Sequence, residues 1–361
     1  MDSAAEIELQ GMESMLVMER KKYLDVAKLF ATLCVINAHA SFTHNPVRQT
    51  ISAFFMPVFF IIYGMASSGK PIKSKRELFQ FLEKRVKSLL VPYALWAMIF
   101  ARNINYTFVK EVLVGDNRSL GRADTNQVLW FLPCMFVAVI LFQIYINIDS
   151  YITGRAGKIG IAVFLMVVCG VVSSKFNVVG TWSWDIAFSG CLFMIVGRGV
   201  RWLEAVWKGK ADYIKIMAAA LLFAATYGIV SWNLLYLGKN GHRGVVMAVG
   251  AYGRYDLFVA GALTGSCALL LTAMVFEKVK LFAYMGRFSL VIMAVHFTLL
   301  PYIDRVCNRI QGIQYGDILY PAAAALCCLV ICIPICYLID WAVPELNGKA
   351  VRLQEKSRIH E

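Results

Sequence analysis

The sequence predicts an all-α, polytopic membrane bundle of about ten transmembrane helices. The 361-residue chain is 59% hydrophobic and has a mean hydropathy of +0.62, whereas only 16% of its residues are charged. A soluble domain is usually about 25% charged. Ten apolar runs follow one another along the chain, most of them near the ~20 residues that a spanning helix needs. Because lipid offers no partner for backbone N–H and C=O groups, spans of this length are helical.

The ten runs share a high content of Leu, Ile, Val, Phe and Ala and are separated by polar loops. They lie at about 24–42, 50–67, 88–103, 128–147, 158–174, 185–202, 214–236, 255–276, 282–302 and 318–342. The second, fifth and sixth are short or interrupted, so their ends are the least sharply defined. No internal repeat or appended soluble domain is apparent, and the runs predict one membrane domain.

Basic residues predict the orientation of the bundle. Lys and Arg concentrate before the first run, in alternate loops and in the tail, and such loops face the cytosol. We therefore expect a cytosolic segment at 1–22, a transmembrane domain at 23–343 and a cytosolic tail at 344–361. The net charge of +13 would suggest nucleic acid in a soluble protein, but orientation explains it here and no nucleic-acid partner is predicted.

The first run carries two ionisable side chains, Lys28 and His39. Eleven residues of helix place them roughly 16 Å apart along the axis. Charged groups at such depth are costly and are functional candidates by default. His39 could act as a general base near neutral pH. Alternatively, Lys28 extends to the headgroups, paired with Asp25 on the same face, and His39 hydrogen-bonds a neighbouring helix.

The second loop is a candidate phosphate site. Seven basic residues fall between positions 70 and 87, and Arg85 could clamp a phosphate together with Lys84 and Lys87. A phosphorylated cofactor with an activated group, such as coenzyme A, would fit. The alternative is that these charges set topology and attract anionic lipid.

Other polar groups near the outer ends of the runs are candidates for the acceptor side. Trp130 is a belt anchor or a binding residue, and His296 is a packing residue or a site residue. His44 places a second imidazole just beyond His39. The cysteines form no CxxC pair, and no metal site is predicted. The sequence also lacks the motifs of serine hydrolases, P-loop ATPases and zincins.

Several motifs, taken in order, resemble acyltransferase family 3, the multi-pass membrane O-acyltransferases of surface glycans. The main signature is a basic residue, ten intervening positions and a histidine, which Lys28 and His39 match. The other matching stretches are Tyr23-Leu24-Asp25, Phe55 to Phe60 with Gly64, Phe81 to Tyr93, Leu129 to Pro133, and Gly286 to His296. The chain departs from the usual pattern at Tyr63, Phe55 and Ser88, where the family commonly has Ser, His and Arg.

The resemblance implies acetyl-coenzyme A as the donor, with His39 essential and Lys28 and Arg85 on the donor side. The acceptor would be a hydroxyl of a surface polysaccharide or glycoside at the cell membrane. His39 would either deprotonate this hydroxyl or carry the acyl group covalently. A transporter or exporter, or a non-catalytic membrane sensor, is the alternative function. The sequence carries no signal for the oligomeric state or for the identity of the acceptor.

Overall fold

The computed structural model describes residues 21–40, 45–175, 180–307, 309 and 319–349. Over these ranges the chain is helical and forms no β-strand, which confirms the predicted fold class. The α-helices in chain order are α1 (Lys22–Ala40), α2 (Pro46–Ser52), α3 (Pro57–Ala66), α4 (Lys75–Arg85), α5 (Val91–Ile99), α6 (Tyr106–Val114), α7 (Asn117–Arg122), α8 (Phe131–Tyr151), α9 (Arg155–Lys175), α10 (Trp184–Gly199), α11 (Leu203–Lys208), α12 (Asp212–Leu237), α13 (Tyr255–Val275), α14 (Lys280–Gly286), α15 (Ser289–Cys307) and α16 (Tyr320–Ala342).

Eight helical stretches within these ranges are long and apolar enough to cross a membrane. They are Pro46–Ala66, Gln127–Tyr151, Arg155–Lys175, Thr181–Lys208, Asp212–Leu237, Tyr255–Val275, Ser289–Cys307 and Tyr320–Ala342. Some combine two α-helices or include a 3₁₀ turn, as at Gln127–Trp130 before α8. The ninth predicted run starts later than expected, at Ser289, because the chain turns at Arg287 and Phe288.

Two of the ten predicted runs are helical but differ from these eight. The first run is α1, whose nineteen residues include the charged Asp25 and Lys28. The third run is divided between the π-helical segment Val86–Leu90 and α5, and it continues the polar helix α4. Both departures have the same cause, since charged side chains enter these helices and lower their mean hydropathy.

Helix α1 lies at the centre of the bundle. Twelve of its nineteen residues are buried, and it packs against α13, α14, α15 and α16. Helices α9 and α12 are mostly exposed and carry apolar side chains outward, as lipid-facing helices do. Within α1 the Asp25 side chain is buried and Lys28 is partly buried against protein, which is where ionisable groups inside membranes are tolerated.

Two glycines allow the helices around α1 to approach closely. A Cβ at Gly286 would overlap the carbonyl oxygen of Asp25, so only glycine lets α14 pack at this level of α1. A Cβ at Gly64 would likewise overlap the carbonyl oxygen of Met194, where α3 crosses α10. The first contact fixes Arg287, the residue after Gly286, beside the charged end of α1.

Candidate functional site

The charged end of α1 opens into a cavity of about 510 Å³, here called the inner cavity. Its mouth carries an excess of positive charge, because four basic residues and one acidic residue, Asp25, line it; the basic residues are Lys21, Lys28, Arg201 and Arg287. Its walls are apolar and come from α1, α3, α8 and α15. Anionic groups at the mouth and an apolar chain further in would both be complementary to this cavity.

Lys28 is held at the inner cavity by an ion pair. Its Nζ lies 3.1 Å from Oδ1 of Asp25, and the Asp25 side chain is buried whereas Lys28 is about one-third exposed. This confirms the predicted pairing on one helix face. Arg201 donates a hydrogen bond of 3.1 Å to the Ser67 carbonyl, which fixes its guanidinium at the same mouth.

Four of the seven basic residues of the second loop line an adjoining cavity of about 640 Å³, here called the loop cavity: Lys70, Lys73, Lys84 and Arg85. Tyr63 is part of its wall and of the inner cavity's wall. The Arg85 guanidinium stacks on the rings of Tyr63 and Phe81, at 5.3 and 5.2 Å from the centroids. Its Nε is buried without a hydrogen-bond partner in the described chain.

Lys87 differs from its two neighbours in the predicted phosphate site. Its Nζ lies 2.5 Å from a carboxylate oxygen of Glu83, one helical turn earlier. It lines neither the inner cavity nor the loop cavity. Lys28 therefore shares its cavity with Lys21, Arg201 and Arg287, none of which belongs to the predicted phosphate site.

The other end of α1 faces a second cavity, of about 420 Å³, here called the outer cavity. His39 and Trp130 line it, as do Arg48, His242 and Arg243. His44, the other predicted acceptor-side histidine, lies outside the described residues. Trp130 is held by the 3₁₀ turn before α8, which Asn126 ties to α15 through a 2.6 Å hydrogen bond to the Ala294 carbonyl.

His39 contacts the second predicted membrane histidine, His296 of α15. Nδ1 of His39 lies 2.9 Å from Nε2 of His296, and the two rings meet edge to edge, with centroids 5.1 Å apart and an angle of 27° between their planes. Nδ1 of His296 in turn lies 2.7 Å from the Met293 carbonyl oxygen. His296 is fully buried and is not part of either cavity wall, so it stands behind His39 rather than beside a substrate.

This chain of contacts fixes the tautomers of both rings. A carbonyl can only accept, so Nδ1 of His296 must carry a hydrogen. The other nitrogen of a neutral His296 is then an acceptor, and Nδ1 of His39 must donate to it. Nε2 of His39 keeps a free lone pair. The arrangement therefore presents a base or nucleophile at the wall of the outer cavity.

Met293 connects the two cavities. It lines both of them, and its backbone carbonyl is the one that accepts from His296. The spacing of Lys28 and His39 along α1 thus corresponds to two cavities at opposite ends of the helix, with the histidine pair next to their common wall.

A family model described as an acyltransferase domain matches residues 21–341, nearly the whole chain. No curated protein matches this sequence.

Proposed function

The chain belongs to acyltransferase family 3, and from this membership we propose that it transfers an acetyl group from cytosolic acetyl-coenzyme A to a hydroxyl of a surface polysaccharide or glycoside. It is a multi-pass membrane acyltransferase, as the motifs around Lys28, His39 and Gly286 indicated. The identity of the donor, the acceptor hydroxyl and the location in the cell membrane are parts of the proposal.

The observation that carries the proposal is the pair of cavities with Met293 in both walls. A cytosolic donor and an external acceptor must meet without either one crossing the membrane. Two cavities at opposite ends of α1, with His39 beside their common wall, are suited to this task. An enzyme with both substrates on one side would need a single cavity.

The inner cavity suits a coenzyme A thioester in two respects. Lys21, Lys28, Arg201 and Arg287 offer ammonium and guanidinium donors to phosphates at the mouth. The apolar walls beyond them suit the pantetheine arm, whose thioester end would point towards Met293. Lys84 and Arg85 stay candidates for the nucleotide end, because the loop cavity adjoins the inner cavity at Tyr63.

The chemistry at His39 can follow two routes. In direct transfer, Nε2 takes the proton of the acceptor hydroxyl as its oxygen bonds to the thioester carbon. The C–S bond then breaks, and the proton passes to the departing thiolate. In the relay, Nε2 attacks the thioester carbon and the C–S bond breaks, so that the thiolate leaves. The acceptor oxygen then attacks the acyl carbon, the C–N bond breaks, and the hydroxyl proton passes to the freed imidazole, which releases it to water as the thiolate takes one up. Both routes begin from the tautomer in which the contact with His296 leaves the lone pair of Nε2 free.

Purified protein in lipid nanodiscs with radiolabelled acetyl-coenzyme A tests the proposal. Label should move to envelope glycan, and His39→Ala should abolish this transfer. Label trapped on the protein without acceptor supports the relay, and its absence supports direct transfer. Asn37→Ala is the matched control, since Asn37 lies on the same helix but lines neither cavity. Full transfer by His39→Ala would contradict both routes.

A further inference from the structure

The outer cavity has an unbalanced charge. Two guanidinium groups, from Arg48 and Arg243, and the imidazoles of His39 and His242 line it, whereas no Asp or Glu among the described residues does. Uncharged polar side chains, among them Gln49, complete its polar lining. A neutral sugar would not need this excess of positive charge, because hydroxyls are bound well by amides and carbonyls.

The two cavity arginines also differ from other arginines on the same side of the protein. Arg102, Arg122 and Arg254 each form an ion pair, with Asp124, Glu111 and Asp256 respectively. Neither Arg48 nor Arg243 forms an ion pair with any residue in the described part of the chain. Arg48 is only partly exposed, and a desolvated cation is costly unless an anion accompanies it.

Arg48 lies close to the reacting group. Arg48 and His39 line the same cavity. The loop that carries Arg243 is held to α2, the helix of Arg48, because Gln49 donates a 3.0 Å hydrogen bond to the Arg243 carbonyl. The two arginines therefore belong to one wall of the cavity. An anion bound there would lie beside the position at which His39 meets the acceptor.

We propose that the acceptor carries an anionic group, a carboxylate or a phosphate ester, near the hydroxyl that is acylated, and that Arg48 and Arg243 bind this group. The proposal rests on the proposed function and narrows its acceptor to an acidic glycan. Arginine is suited to such a site, since its planar fork matches the two oxygens of a carboxylate or phosphate. Anionic lipid headgroups are less suitable occupants, because these arginines share their cavity with His39.

The acceptor's charge can be tested without knowing its structure. Glycan fragments from the envelope of the cells that carry the gene are separated by anion exchange into a neutral pool and an anionic pool. The protein in nanodiscs then receives radiolabelled acetyl-coenzyme A with each pool. An acetyl ester adds no charge, so labelled fragments stay in their own pool. Rates are measured for wild type, Arg243→Gln, Arg48→Gln, Arg48→Lys and Arg102→Gln.

The proposal expects label mainly in the anionic pool. Arg243→Gln and Arg48→Gln should each raise the apparent KM for that pool about 10-fold or more and weaken its dependence on salt. Arg48→Lys should retain most of the activity, and Arg102→Gln should behave as wild type. Thermal unfolding of each variant establishes that it is folded.

Three results would overturn the proposal. Label mainly in the neutral pool would exclude an acidic acceptor. An equal loss for both pools in Arg243→Gln would show that the arginine does not read the charge of the acceptor. An effect of the arginine variants only on retention of anionic lipid would assign the cavity to a headgroup. If wild type labels neither pool, transfer to glycan itself is refuted.

Discussion

The pairing of His39 with His296 gives the sharpest prediction. In His296→Phe a ring of similar size replaces the imidazole, so the variant removes the hydrogen bonds without leaving a large cavity. Nδ1 of His39 loses its acceptor at 2.9 Å, and either nitrogen of His39 can then carry the hydrogen. The ring also loses the partner that fixes its orientation.

The size of the effect can be bounded. A hydrogen bond of this kind contributes about 0.5–1.5 kcal/mol, which corresponds to a rate loss of up to about 10-fold. General-base catalysis as a whole contributes about 10²- to 10⁴-fold. We expect the kcat of His296→Phe to be about 10- to 10⁴-fold lower than that of wild type. The KM for acetyl-coenzyme A should not change, since His296 does not line the inner cavity.

His296→Gln is the matched variant, because the oxygen of its amide can accept from His39 in place of Nε2. It should recover part of the lost kcat. If His296 had only a structural role, His296→Gln would be no more active than His296→Phe. The assay is transfer of labelled acetyl to envelope glycan over a range of pH, with unfolding temperature measured in parallel. If His296→Phe keeps kcat within twofold of wild type while His39→Ala is inactive, the tautomer reasoning is wrong.

Four further changes have defined outcomes. Met293→Trp should abolish transfer to the acceptor but preserve binding of labelled coenzyme A, because the larger ring fills the common wall of the two cavities. Lys28→Met should raise the KM for acetyl-coenzyme A about 10-fold or more in steady-state kinetics, as expected for loss of a charged hydrogen bond of ~1.5 kcal/mol. Gly286→Ala should destabilise the protein by about 1–3 kcal/mol in chemical unfolding, since its Cβ would overlap the Asp25 carbonyl. Hydrogen bonds of 3.0 and 2.6 Å from Arg122 lower the pKa of Glu111 below its usual 4.5. The stabilisation that these bonds give is therefore complete above pH 4.5 and is lost as the pH falls through the lowered pKa. Hydrogen exchange of the α6 amides measures this loss.

Matched controls accompany these variants. Met98→Trp enlarges an exposed methionine, and Lys75→Met removes an exposed lysine that lines none of the three cavities. Gly199→Ala adds a methyl group where no atom lies within 4 Å. Glu111→Gln should remove the acid-dependent exchange in α6. Effects as large in the controls as in the test variants would contradict the assigned roles.

The sequence predicts the two ends of the site along α1 but not the residues that other helices contribute to it. The spacing from Lys28 to His39 on one apolar helix predicts a cationic end and an imidazole end, and the structure places a cavity at each. The contact between His39 and His296 was not predicted, because the two residues are 257 positions apart and meet only through the packing of α1 against α15. Periodicity along one helix carries no information about such a partner.

The cations of the cavities were missed for a different reason. Arg201 lies where basic residues are already expected from membrane orientation, so its charge gives no second signal. Arg287 falls inside the ninth predicted run, and only the structure places it in a turn. Arg48 is a single arginine at the start of a predicted span and resembles an interfacial residue. In each case the side chain acquires a role only when helices distant in the chain converge on one space.

Met293 also bears on the energetics of the membrane in which the enzyme works. Because Met293 lines two separate cavities, we expect the proposed transfer to pass an acyl group outward without a continuous column of water between the two compartments. We therefore expect the enzyme not to conduct protons or small ions during turnover. A cell could carry many copies of it without discharging the electrochemical gradient that drives its other membrane proteins.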